Sequence, residues 1–439
     1  MKFFIFMLFS VISLSLFSPI MSDGQSYSDD NMVSWVKVSN PSNGWDIAYA
    51  VCEKREYLYV VGIEQHLNQY KIRGEKRLKS NGEIVNVWVH NFSVSDTIYD
   101  CLIVGDFLYL VGSSYMDKDR AWIILAVDLD FKNVKHVLSN PSENPDIALA
   151  VSSYQDHLYV GGVEMLGGDC RWRVEKRSLK DLSLAQEYIS NPTNSCDVIF
   201  DVKINPATGD VWVIGYEALR CRKCDGRLEI LDSNFKLLRI LKPFTGCFKQ
   251  SLTFNHEGSA FISGVNILKY SKDGENIFIS SIPARYGVTW INGKLYSFDI
   301  DLKDGEWRPS IYLFDENLHL QDHWVINLRL NSSLYATSCF ATAFPVFGEI
   351  SNDNEHIYIA GTVGDPSTGD TSWIIYSINV SIEKHDILKI ALFSISIILS
   401  LSLAILTLKY IRLRKFQKHS ERRLEYFQRP LRAAGTAYR

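Results

Sequence analysis

Three stretches of this chain are variants of one phrase. Residues 46–62 read DIAYAVCEKREYLYVVG, residues 96–112 DTIYDCLIVGDFLYLVG, and residues 146–162 DIALAVSSYQDHLYVGG. A fourth, DVKINPATGDVWVIG, ends at Gly215. Each has an apolar strand, a polar turn and a second strand that ends in glycine, and in the first three an Asp opens the phrase. Self-similarity at a period of about fifty residues is the mark of a repeat architecture, and it limits the possible folds more tightly than composition does.

The second strand is the clearest marker. It recurs as AFISG ending at Gly264, as LYSFD at Asp299 without the glycine, and as IYIAG at Gly361, making seven copies. β-Branched and aromatic residues in alternation suit buried strands. Third strands follow, such as QYKIRGEKRL from Gln69 and WRVEKRSL from Trp172. Fourth strands include EIVNVWVHN from Glu83. Ser-Asn-Pro turns at residues 39–41, 139–141 and 190–192 (the last continuing Thr-Asn) lead into the next opening Asp. Ala48, Ala50, Ala148 and Ala150 read as small residues on crowded inner strands.

Four strands repeated seven times over residues 33–380 predict an all-β, seven-bladed β-propeller, its blades arranged radially. The last unit has three strands, and a spare strand, VSWVKV, stands before the first Asp. The spare strand is expected to complete the last blade and close the ring, which leaves no open sheet edge between the ends of the array.

The LYVVG and LYVGG strands, the period and the trailing Trp resemble kelch-type repeats, and the whole is similar to membrane-anchored cell-surface propellers of archaea. The resemblance covers residues 33–380 and implies binding or scaffolding.

The ends of the chain suggest a compartment. Residues 1–24 read as a signal peptide, with Lys2 before an apolar run, and 25–32 as a polar leader. After a short linker, 381–386, residues 387–408 read as a transmembrane helix; Ile390 to Leu408 carry no charge. The tail 409–439 holds ten Lys or Arg against two Glu, which places it in the cytoplasm and near anionic lipid. The expectation is a single-pass type I protein of the cell membrane with its propeller outside the cell. A net charge of −4 gives no basic field for nucleic acid.

All eight cysteines fall in the expected ectodomain, where disulfides form. Cys52 with Cys101, and Cys196 with Cys247, are expected as blade-to-blade staples because each pair holds like positions in consecutive units. Cys170 could join Cys221 or Cys224, or the latter two could close on each other. Cys339 has no obvious partner. The sequons at Asn91, Asn331 and Asn379 are expected to carry glycans.

In a propeller the loops that enter the inner strands and those between second and third strands share one face, expected here to be membrane-distal. Trp45, Arg171, Arg220, Arg222 and Lys223 fall on it as candidate ligand contacts. Asp46, Asp96, Asp146 and Asp197 would ring the channel mouth, either around a cation or, as Asx turns do, each binding amides of its own loop; the second is expected, so no metal or cofactor is. The chain lacks H-E-x-x-H, G-x-S-x-G, a phosphate loop and the S-x-D-x-G-x-T-W box. The expected function is recognition, adhesion or scaffolding of a cell-envelope protein or glycan. The alternatives are a propeller hydrolase or glycan-processing enzyme, or an accessory subunit of a membrane complex.

Overall fold

A computed structural model describes residues 32–380, except 68, 117–118, 221–222, 244–249, 304–305, 327–346 and 366–369, together with 406–407, 409–412 and 414–415. The chain divides into two units, residues 1–380 and 381–439. In the second, the described residues are helical, and none of the described helices is long and apolar enough to cross a membrane. The apolar run from Ile390 lies almost wholly outside the described residues, as do the signal and the leader.

The first unit contains seven four-stranded antiparallel sheets. Blades 1 to 6 are built from consecutive strands within residues 47–90, 96–139, 147–190, 198–241, 252–279 and 287–325. Blade 7 takes Phe347–Asn352, His356–Asp365 and Asp370–Asn379, and its outermost strand is the N-terminal Val33–Ser39. Trp35 lies opposite Ser377, as ring closure requires. The inner strand of blade 7 packs against that of blade 1, and the circle is complete.

The repeat's glycine has a steric cause. Inner strands of blades 1 to 4 carry a register shift after Ala48, Ile98, Ala148 and Ile199. The bulge pushes a carbonyl toward the second strand: a Cβ on Gly62, Gly112, Gly162 or Gly215 would lie 2.0, 1.9, 2.1 and 2.0 Å from the oxygen of Ile47, Thr97, Ile147 and Val198. In blade 6 the inner strand Gly287–Ile291 pairs without a bulge, so Asp299 fits where the others have glycine. Its Oδ1 accepts from Arg285 Nε at 2.8 Å.

Blades are joined by polar latches set in apolar packing. The indole N–H groups of Trp122, Trp172 and Trp373 donate to the carbonyls of Val163, Tyr216 and Ile63 in the next blade, at 3.0, 3.3 and 3.2 Å. Each acceptor follows the repeat's glycine. Glu75, Glu175 and Glu229, all fully buried on third strands, accept from Ser39, Ser139 and Ser190 on the outermost strand of the preceding blade at 2.8, 2.7 and 2.7 Å. Arginines two residues away complete these pairs: Arg73 and Arg77, Arg173 and Arg177, and Arg227. In blade 2 the corresponding residues are Ile123, Leu125 and Val127, all fully buried, and the preceding strand ends in His90 instead of Ser. Ser and Glu are exchanged together for apolar packing, so neither polar partner is left buried alone.

Candidate functional site

The face formed by the entry loops and the second-to-third-strand hairpins is built from the opening Asp residues outward. Asp46, Asp96, Asp146 and Asp197 are fully buried, and each turns into its own loop. Asp46 accepts from the N–H and hydroxyl of Ser42 at 2.8 and 2.7 Å and from the Gln65 N–H at 3.2 Å. Asp146 accepts from the same groups of Ser142, both at 3.0 Å, and from Met165 N–H at 2.9 Å. Thr193 serves Asp197 at 2.9 and 2.8 Å, while Phe92, Ser93 and Ser114 serve Asp96. Burial raises the carboxyls of Asp46 and Asp146 above their ordinary value; the hydrogen bonds recover only part of that cost. The four carboxylates therefore hold loops, as the Asx-turn alternative expects. No cluster of metal-binding side chains occurs among the described residues.

Three of these entry loops are also tied to the blade they leave. Asp146 N–H donates to Arg120 O at 2.7 Å and Asp197 N–H to Cys170 O at 3.0 Å. The hydroxyl of Thr371 accepts from Asp46 N–H at 2.9 Å, and Thr371 N–H donates to Gly44 O at 3.1 Å. Thr371, Arg120 and Cys170 hold the same place, two residues before the latch Trp.

This explains the disulfides. Cys52–Cys101 forms as expected, between neighbouring inner strands with Cα atoms 6.2 Å apart. Cys196 does not pair with Cys247, nor Cys170 with Cys221 or Cys224. Cys170 and Cys196 join each other, Cα atoms 4.2 Å apart. The residue before an opening Asp crosses the top of the third strand it has just passed, which brings it beside position 170 and not beside the next entry loop. Cys247, Cys339 and the side chains of Cys221 and Cys224 lie outside the described residues.

Of the candidate contacts, Trp45 stands 41% exposed. Arg171 is half-buried and paired with Glu164 of its own blade, which removes it as a free cation on the surface. Arg220 and Lys223 lie opposite each other at the end of a hairpin; their side chains and all of Arg222 are outside the described residues. Asn91 and Asn379 are exposed, and Asn331 lies outside the described residues.

Sequence reasoning missed the hairpin tips. Leu67 is 85% exposed, Leu166 50%, and Tyr115 and Met116 37% and 38%. They belong to the second-to-third-strand hairpins of blades 1, 3 and 2 and so share the face with Trp45. The signal was available: QHLNQ, YMDKD and MLGGD each put a large apolar residue where a turn needs a polar one.

No family model matches the chain, and no curated protein is detectably similar in sequence. Solved structures with a similar chain course include a quinohemoprotein alcohol dehydrogenase from Pseudomonas putida HK5, at 7% identity and TM-score 0.48 over 79% of this chain and 76% of the other. Sqt1 of Chaetomium thermophilum has 12% identity and TM-score 0.46 over 81% of this chain and 100% of its own. The polysaccharide lyase Uly1 has 10% identity and TM-score 0.49 over 83% of this chain and 94% of its own. Likenesses at this level carry no functional argument.

Proposed function

We propose that the chain is a membrane-anchored recognition module, whose propeller engages a protein or glycan of the cell envelope through the loop face. The observation that supports this most directly is the set of apolar tips on blades 1 to 3, Trp45, Leu67, Tyr115, Met116 and Leu166, exposed on one face. Aromatic residues and Met are enriched at the cores of protein interfaces, and an apolar patch rimmed by polar groups is a usual sign of one. The loops below these tips are held by buried Asp caps and by Cys170–Cys196. A surface held in its binding conformation loses less entropy when a partner docks.

In this reading residues 1–24 direct secretion, 387–408 anchor the protein, and the basic tail lies in the cytoplasm. The loop face is taken to be accessible from outside the cell. Glycans at the sequons would sit outside the cell.

The test has two arms. An epitope inserted between Gly167 and Gly168, an exposed hairpin tip with φ of 64° and 86°, should be labelled on intact cells, and a C-terminal epitope should not. The full-length protein in mild detergent should bind isolated cell envelopes saturably, and a Trp45→Ala/Leu67→Ser/Met116→Ser variant should lose at least tenfold in affinity. Unchanged binding by that variant, or labelling only at the C-terminus, refutes the reading.

A further inference from the structure

The inner strands enclose an axial channel, and its wall is uneven. Three residues after each opening Asp of blades 1 to 4 come Tyr49, Tyr99, Leu149 and Phe200, with Tyr49 and Tyr99 in edge contact at 5.1 Å. The same place in blade 5 is Gln250, which is fully buried. Neither the oxygen nor the nitrogen of its amide has a hydrogen-bond partner. Gln250 lines a cavity of about 230 Å³ shared with Leu149, Phe200 and Tyr286. Asp201, Lys203 and Asp100 stand on the polar side of that wall with Ser251, Thr253 and Thr289.

The polar groups are held in place. Asp100 Oδ2 and Asp201 Oδ2 accept from the inner-strand N–H groups of Val151 and Leu252 in the next blades, at 2.7 and 2.9 Å. Lys203 Nζ stands 3.4 Å from Asp201 Oδ1. An aromatic platform beside an amide, an ammonium and carboxylates offers donors and acceptors at close spacing next to an apolar ring face. Most of the lining is polar, and a wall of this kind suits a ligand that carries several hydroxyls around one apolar face. The cavity lies below the roughly 300–1,000 Å³ usual for drug-sized ligands, so its occupant is about one ring in size. Two carboxylates against one ammonium disfavour an anion.

We propose that this cavity binds one unit of a neutral saccharide, its ring against Phe200 or Tyr286 and its vicinal hydroxyls on Gln250, Asp201 and Lys203. A hydroxyl both donates and accepts, as does the orphan amide, so a diol can satisfy both Gln250 atoms at once.

The test is calorimetric titration of the full-length protein, kept in a detergent without a sugar headgroup, with glucose, galactose, mannose and N-acetylglucosamine. Glucuronate and spermidine serve as charged probes. At least one neutral sugar should bind saturably, and Gln250→Leu and Lys203→Met should each weaken it at least tenfold. Gln250→Leu should melt no lower than the parent, since it removes an unpartnered amide; Lys203, 30% exposed at its side chain, tolerates substitution should Gln250 not. The proposal is overturned if no neutral sugar binds, if only a charged probe does, or if neither variant weakens binding. The loop-face variant should bind the sugar normally, so failure here and failure of the recognition reading are separate results.

Discussion

In blade 1 the four strands have 8, 10, 10 and 7 residues; in blade 5 they have 3, 3, 3 and 4. Blades 1 to 4 carry the bulge, the close-packed glycine, the Ser–Glu latches and both disulfides seen. Among the described residues, single buried polar atoms without a partner occur in both halves, on Asp119, Asp169, Arg171 and Trp212 in blades 2 to 4 and on Ser297, Asp299 and Ser310 in blade 6; Gln250 of blade 5 has both of its side-chain polar atoms unpaired. The cavity is lined by inner-strand residues of blades 2 to 6, with Gln250, Ser251, Leu252 and Thr253 of blade 5 on its wall. Blades 1 to 4 use buried polar groups to fasten neighbours and put Tyr49, Tyr99, Leu149 and Phe200 at one inner position. Blade 5 puts Gln250 there, and its unpaired buried amide is what a ligand can satisfy. Strict repetition thus makes a frame, and departures from it make room for chemistry.

The largest expected effect breaks the frame itself. Removing residues 33–39 strips blade 7 of its outer strand, the Ser39 bond to Glu75 and the 2.7 Å bond from the Trp35 indole to Lys79 O. The variant should show no cooperative melting transition and should aggregate; a normal melt would mean the ring does not depend on closure.

Next come the latches. Glu175→Leu leaves Arg173 and Arg177 buried without their shared carboxylate. Breaking a buried ion pair in this way costs about 3–5 kcal/mol. Copying the blade 2 solution in full, Ser139→His/Glu164→Ser/Arg173→Ile/Glu175→Leu/Arg177→Val, should recover most of that loss in chemical denaturation, since no buried partner is then left alone. If this variant is no better than the single one, the equivalence of polar and apolar latches is wrong.

The disulfides follow. The chain-entropy model assigns about 4 kcal/mol to Cys52–Cys101 and about 3.5 to Cys170–Cys196, from sequence separations of 49 and 26. Double Ala variants should lose up to these amounts. Only loss of Cys170–Cys196 should also weaken envelope binding, because only that bond lies in the loop face; equal binding by both variants would separate loop rigidity from recognition.

The smallest effect is in pH dependence and contrasts one carboxyl from each half. Burial raises Asp146 above 3.8 despite its three hydrogen bonds. Its contribution is complete below pH 3.8 and is lost as pH rises through the folded value. At Asp315 in blade 6, burial also pushes upward, but the N–H groups of His319 and Asn317 and the His319 ring hold the carboxyl below 3.8. Its contribution is present above pH 3.8 and is lost as pH falls through the folded value. Relative to the parent, Asp146→Asn should gain stability as pH rises from 3 to 7, and Asp315→Asn should lose it. Parallel slopes would show that burial does not separate the two.

Much of this architecture is local and periodic, and so could be read from the chain. Seven second strands, the inner alanines and the spare N-terminal strand each restate one constraint, the crowding near an axis. Cys52–Cys101 was legible for the same reason: both residues sit on inner strands, and neighbouring inner strands must touch. The glycine was visible as a marker, but its cause, a carbonyl 1.9–2.1 Å from where a Cβ would be, needs the bulge to be seen.

What the chain alone could not decide depends on which segments cross above or beside which others. Cys170 meets Cys196 because an entry loop passes over the third strand of the blade it leaves. Ser39 meets Glu75 because the outermost strand of one blade lies against the third strand of the next. Leu67, Met116 and Leu166 gather on one face because hairpins about fifty residues apart are brought to the same end of the ring. Periodicity along a sequence specifies each unit and its neighbours in order. Contacts across units depend on the angle at which blades pack, and that angle is set only when all seven close on one axis.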